Sequence, residues 1–156
     1  MKYFQKFFES TWVAGRLEVI LGLLFVIASM HKIADPPEFA KIVYNYRMFP
    51  WPNLIGVYMP WVELLAGLAL IVGLFGRKGG AALIGLLLLV FMAGIGFNLA
   101  RGNIVDCGCF AGSSDKTRGQ LLLEMWWVLA RDLLMIIGVA QIFIAERAAA
   151  RKTAAV

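Results

Sequence analysis

Charge is scarce in this chain. Only 16% of its residues are Asp, Glu, Lys or Arg, against 61% hydrophobic, and the mean hydropathy is +0.77. A soluble domain of 156 residues has too small an interior to hide that much apolar surface, which excludes a water-soluble globule. The basic excess, a net +5, is spread thinly between apolar runs. No continuous basic face exists to neutralise phosphates, so nucleic acid is not an expected partner. The ~10-residue stretches of alternating polarity that a transmembrane barrel needs are also missing. A single histidine, His31, and two cysteines do not complete a tetrahedral zinc site, and no metal site is assigned. No internal repeat is present, and no small-residue cleavage site accompanies the first apolar run, which is expected to remain as an anchor.

What is there is a set of four long apolar runs. Backbone amides in lipid must satisfy one another, so unalternating runs of Leu, Gly, Ala and Met predict helices. Residues 54–75 carry one charge, Glu63, and residues 81–100 carry none. Each is near the ~20 residues that cross ~30 Å of hydrocarbon. Between them, Gly76-Arg77-Lys78-Gly79-Gly80 reads as a tight polar turn. The first span, 12–34, has Arg16 and Glu18 near its start and His31 and Lys32 near its end. The fourth, 121–145, holds Glu124, Arg131 and Asp132, whose charges are expected to face the bundle. Phe39, Ile42, Val43 and Tyr46 recur at helical spacing between proline-rich breakers, which predicts a short interfacial helix. The expected fold is all-α: one domain over residues 1–156, a four-helix transmembrane bundle with both termini on the same side.

That side would carry Lys2, Lys6, Arg16, Arg77, Lys78, Arg147, Arg151 and Lys152. The other would carry Lys32, Lys41, Arg47, Arg101, Lys116 and Arg118. Eight against six favours cytoplasmic termini by the positive-inside rule. The loop between the third and fourth spans then faces outward, which in the inner membrane of a bacterium means the periplasm. Disulfides persist readily there.

Both cysteines lie in that loop, in Asp106-Cys107-Gly108-Cys109-Phe110. As a structural staple the pair would be poor, because it closes almost no chain and removes little unfolded-state entropy. Strain in so small a ring makes the bond easy to reduce, and Gly108 lets the backbone bend enough for the sulfurs to meet. Redox traffic is the better reading. Cys-x-Cys thiolates also suit Cu(I), with Met30 and His31 at the same membrane face, so a soft-metal carrier stays open as an alternative. Lys32, Asn98, Arg101 and Glu124 are placed to ring the loop, and positive charge beside a thiol favours the attacking thiolate.

Glu63 and Arg131 fall at similar depths, roughly 14 to 15 Å from the outer face at 1.5 Å per residue. An ion pair between them is expected, since a charge at mid-bilayer usually has a partner or a task. Such a pair either fixes helix register or walls a cofactor or proton site.

Several of these residues resemble a known family. Arg16 and Gly22, Lys32 with Asp35-Pro36, Tyr46 with Pro50, Pro60, Glu63-Leu64 with Gly67, and above all Cys107-Gly108-Cys109-Phe110 are similar to the DoxX-like membrane proteins, most closely the methylamine-utilisation MauE branch. Where the usual pattern has Gly directly after the Phe, here Ala111 precedes Gly112. The resemblance implies a four-helix membrane bundle tied to thiol or sulfur redox chemistry. On the MauE side it implies maturation of a disulfide-rich periplasmic enzyme alongside a thioredoxin-like partner. On the DoxX side it implies a non-catalytic subunit of a larger quinone-linked membrane redox complex. The expected activity is thiol–disulfide oxidoreduction through Cys107 and Cys109, with a membrane quinone as a candidate second terminus.

Overall fold

Asp35 and the prolines that follow it end the first helix and start the second. Helix α1 (Thr11–Ala34) stops at Asp35, whose side chain accepts a hydrogen bond of 3.1 Å from the Glu38 backbone N–H. Pro36, with no N–H to leave unsatisfied, then opens α2 (Pro36–Asn45). Helix α3 (Pro52–Val72) also opens on a proline. It ends where Gly73 adopts a left-handed φ of 72° and the Leu74 N–H reaches back 3.0 Å to the Ala69 carbonyl. Helices α4 (Gly76–Ala100) and α5 (Arg118–Ala154) complete the chain, in a computed structural model that describes residues 11–48, 50–106 and 117–154.

Among the described residues these five helices occur without strands, and four are long and apolar enough to cross a membrane: Trp12–Ala34, Pro52–Val72, Gly76–Ala100 and Arg118–Arg151. The protein is an all-α, multi-pass membrane protein. One boundary differs from expectation. The Gly76 to Gly80 segment is the first turn of α4, not the connection. The reversal is made by Gly73, Leu74 and Phe75, because the left-handed glycine that stops α3 stands three residues earlier. Helix α5 has 37 residues, roughly 55 Å at 1.5 Å each, so it overshoots a ~30 Å hydrocarbon layer.

Large apolar side chains such as Leu23, Ile27, Leu65, Leu68, Leu86, Leu89 and Leu134 point outward, where lipid tails accept them. Association of helices in lipid depends on close packing, and the seams accordingly use small residues. Helix α1 lies along α3 and α4 along α5. At the first seam, a Cβ on Gly67 would stand 2.7 Å from the Gly22 carbonyl oxygen, so only glycine permits this approach. Helix α2 packs on the first half of α3, with Gly56 against Ala40. The interior has two apolar parts. Leu21, Phe25, Leu70, Ile84, Leu88, Val139 and Ile142 form the larger. Tyr46, Ile95, Val105, Met125 and Val128 form the smaller, at the end of the bundle that carries α2. Between them along α5 comes Asp132.

Candidate functional site

Four charged side chains meet in the middle of the bundle. The Lys32 ammonium donates to both Glu63 carboxylate oxygens, at 2.8 Å to Oε1 and 2.7 Å to Oε2, and the two side chains are 3% and 2% exposed. Arg131 donates from Nε at 3.1 Å and Nη2 at 2.9 Å to Asp132 Oδ1. All four line one cavity of about 40 Å³, partly open at the bundle surface, whose apolar walls include Phe25, Leu88, Phe91 and Met135. Phe91 and Phe39 also place their rings 4.6 and 5.0 Å from the Lys32 nitrogen, so the ammonium sits in an aromatic and carboxylate cage.

Helix direction explains the Lys32–Glu63 encounter. Side chains lean toward the N-terminus of their own helix. Lys32, at the end of α1, therefore leans back into the bundle, while Glu63, eleven residues into the oppositely directed α3, leans toward it. The expected pairing is corrected accordingly: Glu63 is bound by Lys32, and Arg131 grips its own neighbour Asp132. Adjacent helical positions diverge by about 100°, but the long Arg131 side chain folds back across that angle. Lys32, expected in the ring around the cysteine loop, is buried, with the Phe39 ring of α2 facing its ammonium, and the cysteines it was expected to face lie outside the described residues.

The loop that carries the cysteines has firmly placed feet. At one foot, the Asn103 side-chain amide donates to Asn98 Oδ1 at 2.8 Å and to the Asn45 carbonyl at 3.0 Å, tying α4 to the end of α2. Asn98 is fully buried and donates in turn to the Gly94 carbonyl at 3.0 Å. Val105 is buried in the smaller apolar cluster, and Asp106 is half-buried beside it. At the other foot, the Gln120 side chain accepts from the Thr117 N–H at 2.9 Å and from its hydroxyl at 3.0 Å, a capping arrangement that starts α5. Cys107, Gly108, Cys109 and Phe110 lie outside the described residues. Of the residues expected around them, Asn98, Arg101 and Asp106 stand at this end of α4, and Glu124 on the first turns of α5. Arg101 is exposed, with its guanidinium 5.1 Å from the Phe97 ring.

A second polar cluster, not anticipated from sequence, lies at the opposite end of the bundle. Arg77 of α4 bridges Glu18 of α1 at 3.4 Å and Glu146 of α5 at 3.5 Å. The acid Glu18, one turn before Gly22, and the base that opens α4 were its only signals.

Chemically, then, the bundle presents a charge-balanced polar site within the membrane and, at one end, a rigid mount for the thiol loop. The model of the methylamine utilisation protein MauE family matches residues 10–145. Three relatives carry that description. The protein of Paracoccus denitrificans is 31% identical over 126 residues, covering 79% of this chain and 64% of its own length. That of Methylophilus methylotrophus is 29% identical over 110 residues, covering 68% and 57%. That of Methylorubrum extorquens is 31% identical over 110 residues, covering 69% and 59%. No solved structure matches the chain.

Proposed function

The chain belongs to the methylamine utilisation protein MauE family, and from that membership we propose that it is an inner-membrane thiol–disulfide exchanger serving methylamine utilisation. Its working groups are Cys107 and Cys109, in a loop facing the periplasm. The observation that carries this reading is the pairing of the chain's two cysteines one residue apart, directly after a segment pinned to the bundle by Asn103 and Val105. A short, rigid mount suits a group that must meet a partner's sulfur in line.

The exchange is balanced as follows. One thiolate of the reduced pair attacks a disulfide of a thioredoxin-like periplasmic protein, forming a mixed disulfide and expelling one partner thiolate. The second cysteine, as thiolate, then attacks the first cysteine's sulfur and expels the partner's other thiolate; protonation of the two expelled thiolates leaves a partner dithiol and a Cys107–Cys109 disulfide, with two electrons transferred. The reverse sequence oxidises the partner. Two electrons and two protons passing between the pair and a membrane quinone would reset it. The downstream beneficiary is a disulfide-containing periplasmic enzyme under maturation.

Orientation is supported by charge. Lys32 on the loop side and Arg77 on the other are both engaged by carboxylates, which leaves five basic residues on the loop side against seven on the other. The test of the mechanism is trapping. Protein with Cys107→Ser or Cys109→Ser, expressed with its periplasmic neighbours, should accumulate a mixed disulfide that reductant releases as a thioredoxin-fold protein. Stoichiometric Cu(I) binding by the reduced protein, with no mixed disulfide from either variant, would replace exchange with metal carriage.

A further inference from the structure

Two ion pairs among the described residues share the core of the bundle and differ in their cations. Asp132 Oδ1 accepts two hydrogen bonds from the Arg131 guanidinium. Glu63 faces an ammonium instead, and that counter-ion is unusually well provided for. The Lys32 ammonium touches both Glu63 oxygens on one side and the faces of Phe91 and Phe39, at 4.6 and 5.0 Å, on others. Ring quadrupoles stabilise a cation without accepting its proton. Lys32 therefore keeps partners if Glu63 becomes neutral. Among the described residues, the charged groups facing Glu63 are Lys32 from α1 and Arg131 and Asp132 from α5, while α2 and α4 bring apolar side chains, Phe39, Leu88 and Phe91. The cavity these groups share, about 40 Å³, has room for one or two waters and more than the two polar partners that a buried water needs.

We propose that Glu63 is a reversible proton-binding site inside the bilayer, loaded and unloaded through water held in this cavity. In loading, a proton carried by the cavity water forms an O–H bond on one Glu63 oxygen. The water is left neutral, Lys32 stays an ammonium, and no electron moves. With Asp132 ionised, the four-residue site passes from zero net charge to +1, and the Asp132 carboxylate offsets part of that charge. Unloading reverses each step. Glu63 is thus more than a register pin between α1 and α3.

The use of this proton rests on the exchange reading. A dithiol that becomes a disulfide releases two protons with its two electrons, and a bilayer acceptor of the electrons needs protons delivered within the membrane. The site itself does not depend on the cysteines, and this keeps the two ideas separable. The measurement is infrared difference spectroscopy of the full chain in phospholipid vesicles, stepped through pH in H2O and D2O. The expected result is a carboxylic-acid C=O band that grows as pH falls, shifts in D2O and is wholly lost in Glu63→Gln. If that variant fails to fold, Glu63→Asp, which keeps a carboxyl one methylene shorter, should move the band. Cys107→Ser/Cys109→Ser protein should retain the band, so failure of thiol exchange leaves it untouched. A wild-type spectrum indistinguishable from that of Glu63→Gln, or a band unmoved in Glu63→Asp, would overturn the assignment.

Discussion

Removing the Glu63 charge should be among the most damaging single changes available in this bundle. In Glu63→Gln the Lys32 ammonium loses a carboxylate whose oxygens lie 2.7 and 2.8 Å away, at a site where both side chains are nearly inaccessible. With an effective dielectric of ~20, Coulomb attraction at about 3 Å is on the order of 5 kcal/mol. Phe39 and Phe91 still face the ammonium in this variant, so the loss should fall toward the low end of the about 3 to 5 kcal/mol known for broken buried pairs. Lys32→Met should cost a similar amount by stranding Glu63. The double variant removes both charges and should recover most of the loss, giving a coupling energy of about 2 kcal/mol or more. The assay is reversible unfolding in mixed micelles, run as a full double-mutant cycle. A second cycle, Glu63→Gln with Arg131→Met, should give a smaller coupling, because Arg131 is engaged by Asp132. Additive losses in the Lys32–Glu63 cycle, or stronger coupling in the Arg131 cycle, would refute the geometry.

Other perturbations probe the rest of the structure. Gly67→Ala places a methyl 2.7 Å from a backbone oxygen of α1 and should lower stability by about 1 to 3 kcal/mol, whereas Gly96→Ala, which meets nothing within 4 Å, should be neutral in the same unfolding assay. Asn103→Ala removes two hydrogen bonds at the foot of the loop. It should destabilise that end by about 1 to 2 kcal/mol, read as faster amide exchange over residues 103–106. Arg77→Met should cost less than about 1 kcal/mol, since Arg77 is 42% exposed, and the cost should shrink with added salt. Lys32→Ala deletes a propylammonium from its cage, so millimolar n-propylammonium should restore part of its stability, and n-propanol should not.

Much of this architecture is legible in the residues. Lipid offers few backbone solutions, so runs such as Leu54 to Val72 and Ala81 to Ala100 announce their helices, and the prolines at 36 and 52 mark starts. Of Phe39, Ile42, Val43 and Tyr46, spaced for one face, Phe39 and Val43 are the buried residues of α2, Ile42 is half-buried, and Tyr46 is buried just past the helix end. The pairing of charges was less legible, for a geometric reason. Depth counted along separate spans treats Lys32 as a residue near a surface, because it stands two positions from the end of α1. Only the packing of α2 over that end, and the opposite lean of side chains on antiparallel helices, bring it to Glu63. Arg131 misled in another way: the preference for i to i+4 partners does not forbid a long side chain from folding onto its immediate neighbour. The turn after α3 was displaced because Gly73 and Gly76 both suit a reversal, and sequence alone does not say which stops the helix.

Thiol exchange requires that Cys107 and Cys109 form one reversible redox couple. It is tested most directly by equilibrating membranes containing the full chain against graded ratios of reduced and oxidised dithiothreitol and glutathione, quenching with a mass-tagged maleimide, and counting tags per molecule. The expected result is a two-electron transition between species carrying two tags and none, with no singly tagged intermediate at equilibrium in dithiothreitol, and a midpoint on the oxidising side of ordinary structural disulfides. Two tags at every ratio, or disulfides that form only between separate molecules, would contradict it.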